Sequence, residues 1–82
     1  MTEYRMRTSV EEADHIASGD KCFFFRNSKY RFGKGDRVTF TPYKEGKPTR
    51  HAIENRVYEV TYVTGEEPVE HGWTLVGIRK VK

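Results

Sequence analysis

The chain is short of most things that would build a large or covalently braced core. In 82 residues it has one cysteine, one tryptophan, two methionines and three prolines, and only 35% of it is hydrophobic. A lone cysteine forms no internal disulfide, which suits a reducing compartment and leads to the expectation of a cytoplasmic protein. No stretch approaches the roughly 20 apolar residues of a membrane-spanning helix, and the N-terminus has no apolar run of the secretory kind, so no membrane partner is expected. His15, His51 and His71 have no ligand spacing among themselves and Cys22 stands alone, so no metal and no cofactor are expected. The histidines read as surface residues, and Cys22 reads as a small buried hydrophobe rather than a nucleophile. Gly33-Lys34-Gly35 lacks the spacing and the following helix of a nucleotide-binding glycine fingerprint. There are no internal repeats.

Aromatic residues and positive charge are what the chain does have. Five Phe, five Tyr and one Trp must supply much of the buried area of a single small domain. The net charge is only +3, but it is unevenly spread. Between Gly19 and Arg56 lie ten basic and four acidic residues, whereas the rest of the chain carries five basic and eight acidic. Such asymmetry points to a face that meets a polyanion.

The elements follow from local pattern. Tyr4 and Met6 alternate with Arg5 and Arg7, which predicts a short half-buried strand at a sheet edge or a barrel closure. Ser9 and Glu12 make a capping pair. Val10, Ala13, Ile16 and Ala17 then share one helical face, and Gly19 supplies the stop, giving one helix over about residues 9–18. Gly19-Asp20-Lys21-Cys22-Phe23-Phe24-Phe25-Arg26 follows as a strand with three consecutive phenylalanines between two cations. Phe23 and Phe25 must face one way and Phe24 the other, but an all-Phe run does not say which set enters the core. Asn27–Gly35 reads as a basic loop of turn formers. Residues 37–42 read as a strand ended by Pro42, and Tyr43–Ala52 as a mobile polar loop. Arg56–Val63 reads as a central strand largely buried on both faces. An acidic turn over Thr64–Gly72, including Glu67 and Pro68, leads to a last strand from Trp73 in which Gly77 marks a bulge or a close approach. The sum is an α+β, mainly β domain of about five strands and one N-terminal helix, closed into a small barrel.

A helix ending in glycine, then Gly19, Lys21 and Arg26 at fixed spacing, then a basic loop and Gly35-Asp36 opening a hydrophobic strand, resembles the ASCH domain (activating signal cointegrator homology). The closing Trp73–Ile78 strand is similar too. The resemblance spans nearly the whole chain and implies a PUA-like β-barrel. It also implies an RNA- or nucleotide-related role, with the ligand in a basic cleft between helix and barrel. Some members resemble amidohydrolases that act on N4-acetylcytidine through the motif Lys, a Thr and a more distant Glu. Here Phe24 stands where the family has Glu and those hydrolases have Thr. A phenyl ring neither activates water nor accepts a proton.

The leading expectation is therefore a non-catalytic module for single-stranded RNA or a nucleotide. Lys21 and Arg26 pair with phosphate or a base edge, Lys29, Arg31 and Lys34 track the backbone, and Phe24, Tyr30 or Tyr43 stacks a base. The alternatives are a small amidohydrolase built on Lys21, with Glu54, Glu59 or Glu70 as its acid, and an accessory domain that meets an acidic protein.

Overall fold

Alternation of side chains sets the first strand, β1, over Glu3–Ser9, with Met6 and Thr8 buried and Arg5 and Arg7 exposed. A computed structural model describes residues 2–66 and 69–81, so Glu67 and Pro68 of the expected acidic turn lie outside the described residues. The helix α1 runs Val10–Ser18. Ser9 Oγ accepts the Glu12 amide at 3.0 Å, and Gly19 closes the helix at φ 91° with its N–H on the Ile16 carbonyl. Arg56 Nη1 donates to the Ala17 carbonyl at 2.8 Å, placing a cation on the negative end of the helix. Ala13 and Ile16 are the buried face.

The strands are β2 (Phe23–Asn27), β3 (Arg37–Lys44), β4 (Lys47–Pro48), β5 (Tyr58–Thr64) and β6 (Trp73–Lys80). They form one curled mixed sheet in the order β1-β3-β5-β6-β2, with β4 beside β3. β1 runs parallel to β3, and the other pairings are antiparallel. The result is a mainly β half-barrel with one α-helix among the described residues, and β1 and β2 are its two edges. No helix of the described residues is long and apolar enough to cross a membrane.

The core resolves the phenylalanine triplet. Phe24 is fully buried and meets Phe32 and Phe40 edge to face, each at 5.6 Å between centroids. Phe40 meets Tyr58 in the same way, and Tyr4 closes on Phe32 at 4.6 Å. Offset and edge-on contacts of this kind add about 0.5–1.5 kcal/mol each beyond area burial. Phe23 and Phe25 lie on the outside.

Several expectations are corrected. Cys22 is exposed, because it sits just ahead of β2 at the rim of the sheet. Strand β3 does not end at Pro42. The β3–β5 ladder covers only Arg37 and Val38, so no β5 partner at position 42 is deprived of an N–H. Pro42 is buried and its carbonyl accepts from Thr49 N–H. Within the supposed mobile loop, Lys44 and Lys47 pair across a two-residue turn in which Glu45 (φ 52°) and Gly46 (φ 78°) are both left-handed. His51 is not loop surface. Its Nδ1 accepts the Ile53 amide at the start of a 3-10 turn (Ala52–Asn55), while Nε2 meets Asp14 of α1 at 2.6 Å. Strand β5 is central, as expected, but not buried on both faces. A bulge between Val60 and Tyr62 inserts one residue opposite Gly77 and reverses the alternation, so Tyr62 turns outward and Val63 inward.

Asp36 shows how the Gly35-Asp36 pair serves the fold. Gly35 takes φ 94°, and its N–H reaches the Val60 carbonyl at 2.8 Å. The Asp36 carboxylate accepts the Thr2 amide at 3.0 Å and the Gly33 amide at 2.8 Å. Donation by Thr2, then by Gly33, holds its pKa below the ordinary 3.8. A carboxyl group lowered in the folded state stabilises above its ordinary pKa and loses that contribution as pH falls through the folded value. Asp36→Asn is therefore expected to lower the urea midpoint most at about neutral pH. The gap to the parent protein should begin to close as pH drops below the ordinary 3.8 and vanish once pH has fallen through the lowered folded value, where the parent also becomes neutral at this position.

Candidate nucleic-acid interface

The turn after Gly19 brings Lys21 back to the helix it has just left. Its N–H donates to the His15 carbonyl at 3.1 Å, and its Nζ reaches Glu12 Oε2 at 3.3 Å. The same ammonium lies 5.4 Å over the Phe23 ring. Glu12 Oε1 accepts the Thr8 hydroxyl at 2.9 Å. The Glu12 carboxylate thus does not reach back to the cap, as a capping box would have it, but joins β1 to the start of β2. Thr8, Glu12 and Lys21 form a part-buried hydroxyl, carboxylate and ammonium chain, and Glu12 neutralises the Lys21 charge. None of the expected acids holds this position. Glu54 is on the 3-10 turn, Glu70 lies beside Trp73, and Glu59 binds Arg79 at 2.8 Å. The Arg79 guanidinium holds the Glu59 carboxyl below its usual value. The sequence marks Glu12 only as a capping residue, and its pairing with Lys21, nine residues on, has no local signature. The signal was the place of Glu12 in the first helical turn, four residues after the inward-facing Thr8.

Arg26 faces the open side of the half-barrel. Its guanidinium lies 5.0 Å over the Phe24 ring. Nη1 donates to the Phe25 carbonyl and Nη2 to the Arg7 carbonyl, both at 2.7 Å. The second bond runs from one edge strand to the other, so Arg26 bridges the seam between β2 and β1. Two of its donors are thereby committed to backbone. Its charge has no carboxylate partner among the described residues.

Phe24 has no part in stacking: a ring with 0% exposure offers no face to a base. Its size and the neighbouring rings Phe32 and Phe40 make the core its better place. Tyr43 is half-buried, and the Arg7 guanidinium lies 4.9 Å over its ring. Tyr30 is exposed, with Lys29 Nζ 5.7 Å over it. The loop that carries these two is tightly held. Asn27 Oδ1 accepts from Lys29 N–H, the Asn27 carbonyl accepts from Tyr30 N–H, Tyr4 Oη donates to the Arg31 carbonyl, and Phe32 is buried. Lys29, Tyr30 and Arg31 therefore project from a fixed backbone at the end of β2. Lys34 stands apart from them. It lines a separate groove of about 600 Å³ with Glu59, Thr61 and Arg79.

The crevice between α1 and the sheet is small. It encloses about 150 Å³ among Ile16, Ala17, Lys21, Cys22, Tyr58 and Ile78. That is about half the lower bound of roughly 300 Å³ for ordinary ligand pockets. A polymer lying along the rim fits this geometry better than a nucleoside enclosed within it. Arg26→Ala is expected to cost about 1–3 kcal/mol in urea unfolding, because two hydrogen bonds to a charged donor are lost. Arg26→Lys should recover only part of this, since one ammonium cannot span both carbonyls while lying flat on a ring. Comparison with models of known families gives no match, and comparison with curated proteins gives none either.

Proposed function

We propose that this chain is a non-catalytic RNA- or nucleotide-binding module of the ASCH-like, PUA-like kind, with single-stranded RNA as the ligand. The observation that carries the reading is electrostatic. Of the ten basic residues between Gly19 and Arg56, only Lys21 is in a salt bridge among the described residues. Cations left without carboxylates are the footprint of a polyanion site, because they release counterions when phosphates replace them. Lys29 and Arg31 contact phosphates from the anchored loop, Arg26 offers its remaining donors at the seam, and Tyr30 stacks a base. Lys21 is neutralised by Glu12 and steadies the rim, with Phe23 beneath its ammonium. Lys34 extends the positive surface toward β5.

Titration with a short single-stranded RNA, followed by amide chemical shifts at several salt concentrations, tests this. Shifts are expected on Arg26 and on Lys29–Lys34, with affinity falling as salt rises. Arg31→Ala should weaken binding to all sequences alike and reduce the salt slope by about 0.7. No shifts with any single strand would sink the reading.

A second reading rests on the Thr8–Glu12–Lys21 chain, which places a hydroxyl and an amine on one carboxylate. That is the chemical inventory of an amidohydrolase acting on a modified nucleoside such as N4-acetylcytidine. Both Glu12 oxygens are already engaged and the adjoining crevice is small, so incubation with N4-acetylcytidine is expected to leave it intact by chromatography. Turnover that disappears in Thr8→Val and Lys21→Ala would establish the enzyme instead.

A further inference from the structure

The outer face of β2, β6 and β5 carries the large apolar side chains that the core left out. Phe23 is 37% exposed, Phe25 43%, Trp73 43% and Tyr62 59%. Strand register puts them on one surface. Phe23 pairs with Gly77, which pairs in turn with Tyr62, and Phe25 pairs with Leu75. Trp73 pairs with Asn27 and so continues the row along β6. The β5 bulge is what brings Tyr62 to this side, and Gly77 leaves the floor between Phe23 and Tyr62 without a side chain. Phe23 and Phe25 stand edge to face with centroids 5.9 Å apart. Phe25 and Trp73 border a groove of about 390 Å³, with the Glu70 carboxylate at its margin.

One cation without a carboxylate partner among the described residues stands past the end of this row: Lys29 follows two residues after β2, while Lys21, which lies over Phe23 at the start of β2, is paired with Glu12. Rings in a row with an uncompensated lysine past one end complement a flexible chain of bases and phosphates. Sheet-borne aromatics stack two or three bases of a single strand in this way.

We propose that this face is a base-stacking platform for single-stranded nucleic acid, with Phe23, Phe25, Tyr62 and Trp73 as its rings. It supplies the stacking surface that Phe24, being buried, does not. The proposal rests on the nucleic-acid reading above but concerns a different surface. A carboxylate at the margin of the Phe25–Trp73 groove accepts hydrogen bonds from a base with an exocyclic amino group, which makes cytosine a suitable probe.

Trp73 is the only tryptophan, so its fluorescence reports this face alone. The test titrates the full chain with single-stranded oligocytidylate of about eight nucleotides, a length within the range covered by small stacking domains. Inorganic polyphosphate serves as a baseless polyanion. The single strand is expected to quench Trp73 and polyphosphate is not. Phe25→Ala and Tyr62→Ala are each expected to weaken the strand's binding by about 5- to 150-fold. Phe25→Tyr, which keeps the ring, should bind like the parent. Both side chains are exposed, and circular dichroism checks that the variants stay folded. If Arg31→Ala weakens binding while neither ring variant does, the platform is refuted and the polyanion reading stands. If no strand binds, both fall. If the ring variants instead abolish self-association seen by sedimentation, the face is a contact between copies and the proposal is overturned.

Discussion

The structure depends on how a half-barrel with two free edges is kept shut. Arg26 does this with one planar group. Its guanidinium lies over Phe24, the central ring of the core, and reaches from β2 to the Arg7 carbonyl on β1. The bond links the two strands at opposite ends of the sheet order. It succeeds because Phe24 is held from below by Phe32 and Phe40, so the platform under the cation is rigid. The Thr8–Glu12–Lys21 chain closes the same seam one step further along, again between β1 and the approach to β2. Polar groups at the rim thus replace the backbone ladder that a complete barrel would have there.

This arrangement separates two kinds of cation. Arg26, Lys21, Arg56 and Arg79 have definite protein partners and hold the fold. Lys29 and Arg31 project from an anchored loop with no carboxylate beside them among the described residues. A motif residue can therefore be indispensable without touching a ligand. The seam explains why a lysine and an arginine flank the phenylalanine run, whatever the loop binds.

Much of this was legible in the sequence, and what was not has physical causes. The helix could be read from Ser9 to Gly19 because caps are local chemistry, and β6 could be read because its alternation is regular. Which way the Phe triplet faced could not be read, since three identical rings carry no phase. It took Phe32 and Phe40, from other segments, to choose Phe24. The β3–β4 hairpin was hidden because Glu45 is an unusual residue for a left-handed turn position, where asparagine or glycine would have announced it. Pro42 looked like a strand end because its tolerance depends on where β5 departs, a fact about another strand. For the candidate site, the basic residues and their concentration were plain. The Lys21–Glu12 pairing and the burial of Phe24 were not, since both arise from contacts that the linear order keeps apart.

The β5 bulge has a consequence for how such a surface arises. Past Thr61, every side chain of the strand is assigned to a side by one extra residue. Without it, Tyr62 would fall in the inward series of Tyr58 and Val60, and Val63 would face the solvent. A chain of this length can therefore exchange a core ring for a surface ring by insertion or deletion of a single codon, with no substitution at all. The outer chemistry of this sheet is open to change in discrete jumps, whereas the aromatic interior beneath it must change one fitted contact at a time.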